Sequence, residues 1–487
     1  MKEVFKYLPP TERKKILLLC DDIRVNSGVA TAAREIVVHT AQHFNWVQIA
    51  GAINHPDKGK KLDLSKDTNI ASGIEDSSVI QYPTDGYGNP DLLRQLIEFE
   101  KPDAIMLFTD PRYFTWVFNM ENEIRKHIPI IYLNIWDSMP APMYNAAYYE
   151  SCDLLLGISK QTVNINKIVL EGKEKNKLFR YLPHGLNEEI FFPIQEGTDE
   201  MKECDAFKNI IFKNKEPKFV AFLNSRNLRR KQIPDLMLAF KFFLDTLPYE
   251  EAQHCFLMLH TELVSEVGTN LMKVKEFLFG EHYNENVIFS FNQLSQKQLN
   301  YLYNIADVQV LPTSNEGWGL SLTEALLSGT PIIANVTGGM QDQMRFEDDW
   351  GDWVEFDKNF TSNHFKTYTK CGAWAFPVFP SNMSIQGSPV TPYIFDDRCD
   401  FKDIASQLKK VYLIPSEKRK HLGLKGREWA TGDEAGFTSK HQAVRFITYV
   451  DELFSIWKPK EKYEVINTGQ FRGNFINHSI IPKISFQ

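Results

Sequence analysis

The sequence predicts an α/β protein built from two doubly wound domains that face a cleft. Three observations carry this reading. Short, continuous apolar runs recur along the chain with helical segments between them, as parallel strands buried on both faces require. The series breaks once, at the polar and charged stretch 193–217, and then starts again. The residues suited to chemistry stand just after strands, where ligands bind in sheets of this kind.

The elements follow in order. Lys15–Cys20 is the first strand, with a loop over Asp21–Thr31, a helix over Ala32–Phe44 and a second strand over Val47–Ile53. Ala104–Thr109, Ile128–Leu133 and Leu154–Ser159 are further strands, and Ser159 is placed to cap the next helix. Pro193–Pro217 reads as the linker. The second series runs through Lys218–Leu223, Cys255–Leu259, Val287–Phe291, Val308–Leu311 and Pro331–Ala334. Residues 345–400 form an insertion rich in Trp, Phe and Pro. Thr438–Trp457 is a helix with one apolar face, formed by Ala443, Phe446, Ile447, Val450, Leu453 and Phe454. The expected division is a first domain over 1–195, a second over 196–437, a closing helix over 438–457 and an extended tail over 458–487.

Composition sets the outer limits. Of 487 residues, 43% are hydrophobic and 24% charged, which excludes a mainly disordered or collagen-like chain. No apolar run approaches the roughly 18 residues of a membrane span. The N-terminus carries no apolar leader pattern. The six cysteines are scattered without a CxxC pair, so a reducing, cytoplasmic setting is expected. The net charge of -7 is not the footprint of a general nucleic-acid binder.

Three segments carry the chemical signal. Ser314–Ala325 (SNEGWGLSLTEA) follows an apolar strand and opens a helix, with seven residues between Glu316 and Glu324. Gly317 and Gly319 let the backbone approach a ligand. The helix N-terminus at Leu320, Ser321 and Leu322 offers N–H groups that suit a diphosphate. Asn224–Gln232 (NSRNLRRKQ) places Arg226 and Lys231 five apart at the end of a strand, where cations neutralise a leaving diphosphate without a metal. Gly28 lies in a loop after the first strand.

Ser314–Ala325 resembles the E-x7-E motif of retaining glycosyltransferases with the GT-B fold, specifically family four. Pro331–Met340 is similar to that family's next strand and glycine turn, and the resemblance covers about residues 14–340. It implies two Rossmann-like domains, with the first on the acceptor side and the second binding the nucleotide sugar. Glu324 would hydrogen-bond the ribose, Glu316 would contact the donor sugar, and Arg226 and Lys231 would hold the pyrophosphate. Gly28 would approach the donor phosphates. Leu182–Pro193, with His184 and Gly185, resembles the segment ending the first domain, where it is mainly structural. The family's histidine after the strand at 130–133 is missing. Asp137, Asn134 or Asp110 would take over its contact near the sugar.

The expected activity is therefore retaining, metal-independent transfer from a nucleotide-diphosphate sugar, with no cofactor or metal. The acceptor is a glycan, a lipid-linked sugar or a small molecule. The alternatives are a viral-type enzyme acting on hydroxymethylated DNA bases, favoured by basic runs at 226–231, 418–427 and 458–462, and a relative that only binds sugar nucleotides. The insertion either packs on the second domain or forms an acceptor or subunit surface.

Overall fold

The computed structural model describes residues 7–280, 282–358, 360 and 362–461. The tail expected to be extended lies outside these residues from 462 onward. The first domain holds an eight-stranded sheet of β1 (Lys14–Asp21), β2 (Phe44–Ala52), β3 (Leu62–Asp63), β4 (Val79–Asp85), β5 (Ala104–Phe108), β6 (Ile130–Asn134), β7 (Leu154–Gly157) and β8 (Leu178–Tyr181). Their order is β3-β4-β2-β1-β5-β6-β7-β8, and only the short edge strand β3 runs antiparallel. The second sheet is all parallel. It comprises β9 (Phe219–Asn224), β10 (Cys255–His260), β11 (Val287–Ser290), β12 (Val308–Leu311), β13 (Ile332–Asn335) and β14 (Ala375–Val378), in the order β11-β10-β9-β12-β13-β14. A two-stranded antiparallel hairpin, β15 (Asn382–Ser388) and β16 (Thr391–Arg398), stands apart from both.

The central strands are apolar throughout because helices cover both faces of each sheet. Ile16, Leu17, Leu18 and Leu19 on β1 are all buried, and so are Val220, Ala221, Phe222 and Leu223 on β9. In each sheet the strand order reverses beside the first strand of the domain, between β1 and β5 and between β9 and β12. A crevice opens at the carboxyl ends of strands at such a point.

Several local expectations change. The first helix is Gly28–Thr40 rather than 32–44, because Ser27 adopts an extended conformation and its side chain accepts from the Ala30 N–H. The stretch between the domains contains a helix, Asp199–Ile211. Thr198 caps it, Asp199 and Glu200 suit its positive end, and Cys204 packs beside Tyr301. One face needs few apolar side chains, so composition alone hid it.

The insertion divides by position. Trp374 is buried and stacks on Trp429, with ring centroids 4.9 Å apart, and Trp353 meets Trp429 edge-on at 5.5 Å. Trp350 is 85% exposed. The insertion also supplies β14, an integral strand of the second sheet. The helix Ser439–Ile456 returns to the first domain. Its Phe446 lies against Trp46 and Phe44, at 5.8 and 5.9 Å between centroids.

Candidate active site

The two reversal points face one another across the cleft. A Cβ on Gly28, at the start of the first domain's first helix, would lie 3.6 Å from Cδ1 of Leu320. A Cβ on Gly317 would lie 2.9 Å from the Ile135 carbonyl and 3.6 Å from Cβ of Asp137. The loop after β6 and the glycine loop after β12 thus meet at Asp137.

The glycine loop is held on several sides. Gly319 has a φ of +87°, in the left-handed region, and turns the chain into the helix Leu320–Leu327. Gln343 Nε2 donates to the Trp318 and Gly319 carbonyls at 2.7 and 3.2 Å, and Trp318 Nε1 donates to Thr323 Oγ1. Gly338 also has positive φ and lies so close to the loop that a Cβ there would sit 2.1 Å from the Glu316 carbonyl oxygen. The Leu322 N–H donates back to the Gly319 carbonyl at 2.9 Å. Of the three backbone donors expected for a diphosphate, Leu320 and Ser321 therefore stand at the open end of the helix.

Glu316 is the centre of the charge network. Its Oε2 accepts from Lys231 Nζ and, at 3.1 Å, from Arg230 Nη1. Arg230 also donates to the Asn315 carbonyl at 2.6 Å. Burial opposes ionisation of Glu316, but Lys231 and Arg230 outweigh it and hold its pKa at about 2. Burial lowers the pKa of Lys231 while Glu316 resists the change. Burial also raises the Asp137 carboxyl, with Arg230 pulling it down and Glu316 pushing it up.

The loop carrying the cations is pinned by buried Asn227. Its N–H donates to Glu262 Oε2 at 2.7 Å, and its Nδ2 donates to the Glu262 and Thr269 carbonyls. A 3-10 turn over Arg229–Lys231 then delivers Arg230 and Lys231 inward. Arg226 points outward. Its side chain is 77% exposed and faces Glu262 at 3.6 Å, so the structure does not bring it to Glu316. Arg230, which the sequence ranks below Arg226 and Lys231, is the cation that joins Lys231 at Glu316. Consecutive residues of a 3-10 turn point about a third of a revolution apart, and the spacing did not reveal which one faced the cleft.

Glu324 sits one helical turn behind the loop. Its Oε2 accepts from Tyr303 Oη and from Asn224 Nδ2 at 3.1 Å. Burial raises its pKa, with both hydrogen bonds opposing. Tyr303 lies on a helix 21 residues upstream, and no motif signals it.

The three residues weighed for the missing histidine separate clearly. Asn134 is committed to Asn166 and to the Trp136 N–H. Asp110 caps the Pro111–Phe114 turn and pairs with Arg112. Asp137 alone adjoins the glycine loop. His184 is buried between Phe108 and Trp318, at 6.0 and 6.3 Å, and burial lowers its pKa to about 4, so it packs as a neutral ring.

Two basic runs that raised a DNA acceptor are partly internal. Arg230 and Lys231 serve Glu316. Arg419 is buried on Asp307 at 2.8 Å, and Arg427 donates to the Phe191 carbonyl. Among the described residues no helix is long and apolar enough to cross a membrane, and no group of three or more His, Cys, Asp or Glu is placed to hold a metal ion.

Residues 205–351 match the family described as Glycosyl transferases group 1. The chain is similar to mannosylfructose-phosphate synthase of Agrobacterium fabrum (strain C58 / ATCC 33970), 27% identical over 194 residues. That match covers 39% of this chain and spans 39% of the relative's length. Among solved structures, sucrose-phosphate synthase from Thermosynechococcus elongatus superposes with a TM-score of 0.61 at 15% identity, covering 91% of this chain and all of that one. Anabaena HepE in complex with UDP-glucose gives 0.60 at 14%, over 91% and 100%. The α,α-trehalose 6-phosphate synthase of Burkholderia multivorans gives 0.58 at 11%, over 91% and 98%. The chain has the GT-B glycosyltransferase fold. Its second domain carries the Glycosyl transferases group 1 segment.

Proposed function

We propose that the protein is a retaining, metal-independent glycosyltransferase that moves a sugar from a nucleotide-diphosphate sugar to a hydroxyl of a sugar or other small acceptor. The observation that carries this is the cluster of Glu316, Arg230 and Lys231 beside the start of the helix Leu320–Leu327, with Glu324 one turn behind. Glu324, supported by Tyr303 and Asn224, takes the ribose hydroxyls. The Leu320 and Ser321 N–H groups and Lys231 meet the diphosphate, and Arg226 reaches it from the rim. As the bond to the sugar breaks, negative charge grows on the diphosphate and these donors stabilise it. Glu316 and Asp137 line the position of the transferred sugar. The similarity to sugar-phosphate synthases, and to a protein solved with UDP-glucose, supports UDP-sugars as first donors and sugar phosphates as first acceptors.

The test is release of nucleotide diphosphate from a panel of donors, with and without candidate acceptors, in buffer containing EDTA. Acceptor-stimulated release that survives EDTA, with retained anomeric configuration in the product, is the expected result. Full and reversible loss in EDTA overturns metal independence, and an inverted product overturns retention.

A further inference from the structure

The hairpin β15–β16 springs from the second domain, between β14 and the helix Phe401–Tyr412, yet it reaches the first. Its root is fastened to the donor side. The Asp397 N–H donates to the Ser314 carbonyl at 3.0 Å, and its carboxylate accepts from Thr337 at 2.7 Å and Asn363 at 2.9 Å. One residue earlier, Asp396 Oδ1 accepts from Asn315 Nδ2 at 2.7 Å and Ser314 Oγ at 3.1 Å. Asp396 thus grips the residue directly before Glu316, and its charge is felt at Arg230.

The remainder of β16 lies on the first domain. The Phe395 N–H donates to the Met139 carbonyl. Tyr144 Oη donates to the Tyr393 carbonyl at 3.0 Å, and the two rings meet edge-on at 5.0 Å. Arg112, held by Asp110, donates to Thr391 Oγ1. These partners lie after β5 and β6, on the cleft side of the first domain. Seven consecutive residues, 391–397, therefore tie the acceptor-side loops to the loop that presents Glu316.

We propose that this hairpin is an acceptor-selecting arm, and that Asp396 is a positioning residue which sets the Asn315–Glu316 loop when the arm is seated. The inference rests on the reading of the protein as a glycosyltransferase. The arm meets the first domain at Met139, two residues from Asp137, so an acceptor that approaches Asp137 on this side passes Tyr393. Asp396 passes the seating of the arm to the charge network through Asn315. An arm of this kind suits a small acceptor better than a polymer, since it spans the cleft from one domain to the other.

The experiment uses the full chain with its best donor and acceptor from the panel above. Asp396→Ala is expected to lower kcat for transfer roughly tenfold or more, while nucleotide-diphosphate affinity by calorimetry stays within about twofold. Asp396→Asn keeps an oxygen for Asn315 and is expected to recover most of that loss. Tyr393→Ala is expected to raise the acceptor KM and to increase donor hydrolysis relative to transfer. If wild-type protein transfers sugar but all three variants keep its acceptor KM and hydrolysis ratio, the arm proposal is overturned. It is equally overturned if activity, donor affinity and melting temperature fall together without rescue by Asn, because the hairpin is then a structural brace. A wild-type protein that releases no nucleotide diphosphate from any donor overturns the glycosyltransferase reading itself, and the arm's role in transfer with it.

Discussion

Arg226 and Arg230 sit four residues apart on one loop and face different surroundings. Arg226 is exposed at the rim, whereas Arg230 is half-buried against Glu316. Arg226→Ala should therefore weaken nucleotide-diphosphate binding with little change in melting temperature. Arg230→Ala leaves Glu316 with Lys231 alone and is expected to destabilise by about 1–3 kcal/mol as well as to cut turnover. Thermal denaturation beside calorimetry separates the two, and equal loss of stability would contradict the assignment. Glu324→Gln should cost about 1.5–3 kcal/mol of nucleotide affinity, the scale for a hydrogen bond to a charged group, with the fold retained. Unchanged affinity would remove Glu324 from the ribose site. The raised pKa of Glu324 gives the same site a pH signature: affinity should begin to fall at a higher pH than an exposed glutamate would require.

The insertion shows how side chains from one segment can differ in weight. Trp374 fills the space between β14 and Trp429, so Trp374→Ala should cost about 3–5 kcal/mol. Trp350 is in solvent, and Trp350→Ala should stay within about 0.5 kcal/mol. Chemical denaturation of the two variants makes the comparison, and similar losses would mean the exposed ring has a partner. Elements of this fold were legible where burial on two faces forces a continuous apolar run, as at Ile16–Cys20 and Leu154–Leu156. They were hidden where one face meets solvent. β4 reads VIQYPTD, with polar residues and a proline, and β15 is almost entirely exposed. In the site, Glu316 and Glu324 were legible because their spacing falls on one strand–loop–helix unit, and Lys231 because it follows the neighbouring strand β9. Arg230, Tyr303 and Asp396 were not, since their places depend on a turn's rotation, a separate helix and an inserted hairpin.

Across the whole molecule, closure of the two domains places a buried carboxylate between them. Asp342, on the short helix Met340–Met344, accepts from the Lys160 N–H at 2.9 Å and from Tyr181 Oη at 3.0 Å, both in the first domain. Its other oxygen, Oδ1, is buried and has no hydrogen-bond partner among the described residues. Burial raises its pKa to about 7, with Lys160 opposing and Glu355 adding to the rise. The closed form therefore binds a proton that an exposed aspartate gives up near pH 4. Its contribution to stability is fully present below about pH 4 and declines as pH climbs through 7. Asp342→Asn should flatten that slope in melting temperature between pH 5 and 8, and an unchanged slope would show that Asp342 is ionised in the closed form.

The helix Ser439–Ile456 has a consequence for how the chain is made. Phe446 covers Trp46 and Phe44, Ser439 bonds Glu35, and Asp451 pairs with His43, all some four hundred residues upstream. On the ribosome the first domain emerges long before the helix that closes its core. At about 5–20 residues per second the gap lasts on the order of tens of seconds to over a minute. During that interval Trp46 and its neighbours stand uncovered, a surface for chaperones to hold and for aggregation to exploit. Synthesis of the second domain thus doubles as a waiting period, and the first domain is completed only after the second has been translated.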